Sequence, residues 1–400
     1  MERYLSFVIV GHIDHGKSTL IGRLIYDTNS LPQERIDEVK KTCEMLGRPF
    51  EFAYVIDHLH EEREKAMTID TSQTFFKYKR NYVIIDAPGH KEFIKNMLTG
   101  ASMADAAVVI IDTEVGLEEQ TKRHLYLLNM LGIKQVVAVF NKMDNVKYDK
   151  QRFEKVNSDL RAFLANFPIK PAEYIPISAM NGDNIVKRSE NLTWYSGPTL
   201  IETLATFKNK SDLEEEELRL PVQDVYTLDG EKVCVGRIES GKLSEEHLMA
   251  VPVMKEVRLK SVKDKKVLAG QSTGVVFDNS DGIDRGQIIC KKNRLPKITD
   301  QITATLFWMG EKELAKKDKL IYKSTTQEAE CQLNEVHFKF NSSTLEPING
   351  DSDRINGLEA AEVTIKLNKK IAVDSFNRIP PMGRFVLIKD GIVEGGGIIA

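Results

Sequence analysis

The chain has 400 residues, 29% charged and 42% apolar, and its 56 basic against 59 acidic side chains leave a net charge of −3. That length suits two or three domains, and the charge balance excludes a globally basic nucleic-acid binder while leaving a local basic face open. No apolar run approaches the ~18 residues of a membrane span, and the N-terminus runs almost directly into a strand with no room for a signal peptide, so a cytoplasmic protein is expected.

Tyr4 to Val10 (YLSFVIV) reads as a strand and Ser18 to Ile25 (STLIGRLI) as a helix. Between them Gly11 to Ser18 spell G-H-I-D-H-G-K-S, the full G-x-x-x-x-G-K-[ST] phosphate loop in its strand–loop–helix setting. Gly11 and Gly16 allow the backbone to bend around a phosphate. The N–H groups of His12, Ile13, Asp14 and His15, with the helix N-terminus behind them, form an anion cradle. Lys17 reaches the terminal phosphates, and Ser18, followed by Thr19, offers a hydroxyl to Mg²⁺. This pattern points to a bound nucleoside triphosphate.

Further along, NYVIIDA, DAAVVIID, QVVAVFN and EYIPIS read as strands, with helical periodicity over Gln120 to Leu131 and Gln151 to Phe163. The alternation predicts an α/β domain with a mainly parallel sheet and helices on both faces. Ligands of such sheets lie at the carboxyl ends of the strands, where the polar motifs fall. Asp86-Ala87-Pro88-Gly89-His90 closes one strand: Asp86 can hold Mg²⁺ through water, and the Gly89 N–H can meet a γ-phosphate. Asn141-Lys142-Met143-Asp144 closes another. A carboxylate at Asp144 accepts two hydrogen bonds from guanine N1–H and N2–H₂, which adenine cannot supply, and a site built on those bonds discriminates steeply. Ser178-Ala179-Met180 follows the next strand and can close over the base. The expected cofactors are therefore GTP or GDP with Mg²⁺, not ATP.

Lys208 to Arg219 (KNKSDLEEEELR) is charged and apolar-poor, suited to an exposed linker. After it come short β-rich runs such as PVQDVYT, VCVGRIES, EVRLKSV and STGVVFD, punctuated by Gly and Asp, and the style repeats from Ile298 onward. Such runs predict barrels or sandwiches. The expected division is a GTP-binding domain over 1–207, a linker over 208–219, and two all-β barrel domains over 220–295 and 296–400. Cys43, Cys234, Cys290 and Cys331 form no C-x-x-C pair, so reduced buried thiols are expected rather than a metal site or disulfides.

The order G-H-I-D-H-G-K-S-T, E-R-E-K-A-M-T-I-D, D-A-P-G-H, N-K-M-D and S-A-M resembles the translational GTPases of the elongation factor Tu class, over essentially residues 1–295. The resemblance implies that Thr68 is the switch threonine ligating Mg²⁺ when the γ-phosphate is present. It implies that His90 positions the hydrolytic water, with Ile13 and Met67 as apolar gates, and that Asp14 sits near the β–γ bridge, helping to hold a monovalent cation. Lys17, Thr68 and His90 are then the catalytic set, and Ser18, Thr68 and Asp86 the metal set. Where the family usually has Gly-Ile, this chain has Ala66-Met67, and Ala tolerates fewer backbone conformations than Gly.

Two members of this superfamily compete. The phosphate loop, D-A-P-G-H-K and L-R-L-P-V-Q-D-V-Y look like elongation factors, which carry aminoacyl-tRNA; Ile21 to Ser30 resembles the large GTPase subunit of bacterial sulfate adenylyltransferase. Ala304 to Leu320 (ATLFWMGEKELAKKDKL) and Asn356 to Ile399, with their W-M-x-E segment and closing triple glycine, also resemble the sulfate-activating subunit. As barrel strands alone, they would make Trp308 a core or interface aromatic and Gly395-Gly396-Gly397 a turn or bulge. The joint match favours a GTPase subunit that drives formation of adenylyl sulfate and pyrophosphate from ATP and sulfate. Its expected partner is a small ATP-binding adenylyltransferase subunit in a heterodimer, with no membrane and no nucleic acid. The alternative is an elongation factor delivering aminoacyl-tRNA to the ribosome.

Overall fold

The computed structural model describes residues 4–31, 33–45, 52, 73–85, 104–165, 167–209, 213–228, 230–243, 247–263, 268–350 and 353–400. Two compact units result, Met1–Lys210 and Ser211–Ala400.

The first unit is an α/β domain. Its strands are β1 (Leu5–Val10), β2 (Gln73–Tyr78), β3 (Arg80–Ile85), β4 (Ala106–Asp112), β5 (Gln135–Asn141) and β6 (Tyr174–Pro176). They form one sheet in the order β2-β3-β1-β4-β5-β6, parallel throughout except for β2, which runs antiparallel to β3. All seven residues of β4 are buried, as expected for a parallel strand covered on both faces. Among the described residues the helices are α1 (Lys17–Asp27), α2 (Gln33–Met45), α3 (Glu119–Met130), α4 (Lys150–Leu164) and α5 (Leu200–Thr206). Leu5, Phe7 and Ile9 of β1 share one core with Leu20, Ile21 and Leu24 of α1 and Leu200 and Leu204 of α5. On the opposite face, Phe140 of β5 meets Phe153 of α4 edge-on at 5.0 Å.

Two helices begin at recognisable caps. Asp149 accepts from the Gln151 N–H to start α4, and Thr199 with Glu202 forms a reciprocal capping box at α5. The edge strand β2 and the helices α2 and α5 are elements that the periodicity did not single out. The strand order reverses at β1, whose carboxyl end lies between β3 and β4, the crevice where such sheets bind ligands.

The second unit holds two closed antiparallel barrels. One comprises β7 (Leu220–Leu228), β8 (Glu231–Arg237), β9 (His247–Val251), β10 (Lys255–Val262), β11 (Ser272–Phe277) and β12 (Ile288–Lys291). After β13 (Lys297–Trp308) and the short β14 (Leu314–Ala315), the second continues with β15 (Leu320–Ser324), β16 (Gln327–Asn341), β18 (Glu359–Val373), β19 (Arg384–Lys389) and β20 (Ile392–Ile399). β17 (Arg354–Ile355) pairs with β14 outside the barrel. Met249, Val251, Ile288 and Cys290 of the first barrel pack on Ala372, Ile379 and Met382 of the second.

Beside that seam Arg219, fully buried, donates from Nε and Nη2 to the two carboxylate oxygens of Asp374 at 2.7 and 2.9 Å. The charged run that Arg219 ends reads as an exposed linker, and the structure corrects that for Arg219. Its buried place depends on a fork-to-fork partner far along the chain. The four cysteines are free and buried, and burial pushes the Cys234 and Cys290 thiols up to about 11 and Cys331 up to about 12. No described helix is long and apolar enough to cross a membrane.

Candidate nucleotide site

The phosphate loop leaves β1 at Val10 and enters α1 at Lys17, with Asp14 at φ 62° and Gly16 at φ 92°. A Cβ at Gly16 would lie 2.4 Å from Asn141 Nδ2, so both the turn and the close approach require glycine there. Lys17 Nζ donates to the carbonyls of Gly11 and His12 at 3.0 and 2.7 Å, which holds the ammonium over the loop. Ser18 and Thr19 are half-buried in the first turn of α1, and the Ser18 hydroxyl makes no hydrogen bond among the described residues. Ile13 is 45% exposed at the loop's tip.

Asn141, at the end of β5, joins three motifs that lie far apart in sequence. Its Nδ2 donates to His15 O at 2.8 Å and its Oδ1 accepts from Ala179 N–H at 2.9 Å. The N-K-M-D segment thereby ties the phosphate loop to Ser178-Ala179-Met180. Ser178 is buried and its Oγ accepts from Asn181 N–H at 3.1 Å, tightening that turn, while Met180 is exposed and its carbonyl accepts from Arg23 of α1 at 3.1 Å. Met143 is wholly buried. Asp144 is half-buried, and its carboxylate makes no hydrogen bond among the described residues, leaving its oxygens available to a base.

Lys142, at φ 61°, pairs through Nζ with Asp112 Oδ2 at 2.7 Å. Asp112 also accepts from Glu114 N–H at 2.8 Å and so orders the turn after β4. Asp112 lies outside the sequence motifs, although as a carboxylate closing an apolar parallel strand it carries a signal of its own. Glu118, also unpredicted, meets the phosphate-loop histidines. Burial holds His15 below the ordinary histidine value, against the opposing pull of the Ile110 carbonyl and the Asp112 and Glu118 carboxylates.

Thr68, Asp86, Ala87, Pro88, Gly89 and His90 lie outside the described residues, as do Ala66 and Met67. β3 ends at Ile85, level with Val8 of the neighbouring β1.

A phosphate loop at the switch point of a mostly parallel sheet, tethered by the asparagine of an N-K-x-D strand end, defines a P-loop nucleotide-binding domain. The sequence profile of the Elongation factor Tu GTP binding domain matches residues 2–333, and that described as GTP-eEF1A C-terminal domain-like matches residues 301–400. Elongation factor 1-alpha of Methanosphaerula palustris is 36% identical over 414 aligned residues, covering 99% of this chain and 96% of that protein. Elongation factor 1-alpha of Archaeoglobus fulgidus is 34% identical, covering 100% and 97%. The crystal structure of sup35 complexed with GDP covers 100% of this chain and 94% of its own at 20% identity and a TM-score of 0.44, a likeness too slight to argue from. The chain belongs to the elongation factor Tu family of translational GTPases, and it is a GTP-binding hydrolase.

These relatives overturn the sulfate adenylyltransferase reading and, with it, the small adenylyltransferase partner. The similarity to Elongation factor 1-alpha runs the length of the chain and includes the third domain that had favoured sulfate activation. The structure supplies a physical reason for the misreading. Trp308 is fully buried in the second barrel, its Nε1–H donating to Lys312 O at 2.8 Å. A Cβ on Gly395 would fall 2.8 Å from the Trp308 ring, and one on Gly397 would fall 2.3 Å from Thr305 O. Gly395-Gly396-Gly397 is accordingly neither a turn nor a bulge itself but part of β20, with the register shift at the neighbouring Glu394. Trp308 packing on Gly395, and Gly397 closing on Thr305 and Phe385, are barrel packing and carry no information about adenylyl transfer.

Proposed function

We propose that this chain is a translation elongation factor that delivers aminoacyl-tRNA to the ribosome in its GTP-bound form. The observation that carries this reading is similarity to Elongation factor 1-alpha over 99% of the chain at 36% identity. Work on ribosomes sets it in the cytoplasm.

In this reading the backbone N–H groups of Gly11 to Lys17 cradle the phosphates and Lys17 turns from its two carbonyls toward the β- and γ-phosphates. Asp144 selects guanine, Lys142 flanks the base, and Ser178 to Met180 close over it. Ser18, Thr68 and Asp86 would hold Mg²⁺. The half-buried Ser18 hydroxyl, free of hydrogen bonds to the described residues, is the hard oxygen donor that such an ion takes. When bound there, Mg²⁺ offsets charge on the β- and γ-phosphate oxygens. His90 orients a water whose oxygen attacks the γ-phosphorus as the bond to the β–γ bridging oxygen breaks, leaving GDP and phosphate. Loss of the γ-phosphate would then remove its contacts with the protein, which makes hydrolysis a conformational timer.

The test is protection of the ester bond of aminoacyl-tRNA from hydrolysis. With a non-hydrolysable GTP analogue the protein should slow deacylation at micromolar concentration, and with GDP it should bind at least about tenfold more weakly. Equal protection by the two forms, or none by either, would overturn the proposal.

A further inference from the structure

The phosphate loop is braced from three directions. On the β4 side, Gly11 lies so close that a Cβ would sit 2.3 Å from Ile110 O. On the β5 side, Asn141 holds His15 O at 2.8 Å. The third brace comes from the residue preceding α3. Glu118 Oε2 lies 3.0 Å from Nε2 of His15, which is 2% exposed, and 3.4 Å from Nε2 of His12. A carboxylate only accepts, so His15 presents its Nε2–H to that oxygen, and the His12 ring stands beside it. Across the ring, His15 Nδ1 faces Ile110 O at 3.4 Å.

Glu118 stands at the N-cap of α3, where a polar side chain ordinarily accepts from the first backbone N–H groups. It makes no such bond; its carboxylate is turned to the histidines instead. The turn that aims it is itself ordered, by Asp112 accepting from the Glu114 and Val115 N–H groups and by Gly116 at φ 101° donating to Asp112 O at 2.8 Å. A carboxylate near a triphosphate repels it unless the charge is engaged elsewhere, and here the buried His15 engages it through a hydrogen bond.

We propose that Glu118 is a positioning residue for the phosphate loop, holding it in phosphate-binding shape through His15 and His12 and thereby setting how fast nucleotide leaves. The proposal rests on the GTP-binding site and is independent of tRNA delivery. A loop that relaxes without this clasp must be reordered around the phosphates, and a loss of that kind appears chiefly in the dissociation rate.

The experiment measures binding and release of a fluorescent GDP by the full-length chain in stopped flow. Glu118→Ala should release GDP about tenfold faster, with the association rate changed less than about twofold. Glu118→Gln, whose amide oxygen still accepts one N–H, should fall between, at about threefold, and carries the test if the alanine variant does not fold. In a His15→Ala background, or His12→Ala if that variant does not bind, Glu118→Ala should lose most of its effect, because the partner it acts through has gone. Wild-type release from either Glu118 variant at an unchanged unfolding midpoint overturns the proposal. So does an effect undiminished by loss of the histidines. A wild-type chain that binds no GDP would instead overturn the nucleotide site.

Discussion

The phosphate loop and the closing strand of the second barrel both carry glycine signatures, and they use them in opposite ways. At Gly16 the glycine lets the backbone turn at positive φ beside Asn141, and among the described residues the side chains of Ser18 and Asp144 make no hydrogen bond. At Gly395 and Gly397 the glycines make room for the Trp308 ring and the Thr305 carbonyl inside the barrel core. A signature of the first kind points to a ligand. One of the second kind points to a barrel, and any protein with that barrel can share it whatever it does.

The contrast can be broken most forcefully in the barrels. Arg219→Ala would take the bidentate partner from buried Asp374 and leave it the longer 3.9 Å contact with Arg378, and truncating one partner of a buried pair costs about 3–5 kcal/mol. Denaturant unfolding of the second unit should show that loss while GDP affinity stays at the wild-type value. A loss below about 1 kcal/mol would mean that the seam does not depend on the pair.

In the nucleotide site the expected effect is on selectivity rather than stability. Asp144→Asn should weaken GTP binding by about a hundredfold and shift preference toward xanthosine triphosphate, since the amide presents a donor where guanine needs an acceptor. Retained GTP affinity in a competition titration would remove Asp144 from its role. The smallest effect is expected at the barrel signature. Gly395→Ala crowds the Trp308 ring and should cost about 1–3 kcal/mol in unfolding free energy without changing GTP affinity. Any change in nucleotide binding there would erase the distinction between the two signatures.

Much of the first unit was legible before folding. Apolar runs placed β1, β3, β4, β5 and β6 within a residue or two, because strands buried on both faces must be apolar throughout. β2 escaped notice because an edge strand alternates: its burial runs exposed, buried, exposed, buried. α5 escaped because its seven residues are too few to establish a period. Arg219 was misjudged for another reason. Composition reads a charged run as solvated, and a buried charge is permitted only by a partner that composition cannot see.

The sequence by itself determined the α/β domain, the phosphate loop and the guanine-type strand end, because in each the spacing along the chain is the geometry. Tertiary structure alone decided that Asn141 would tether the phosphate loop to Ala179, and that Glu118 would reach His15 across 103 residues. It also brought Arg219 to Asp374 across 155 residues and packed Trp308 onto Gly395. Pairings at such separations leave no period in the chain. They come into being only when the sheet and the barrels close, and burial then makes each partner indispensable to the other.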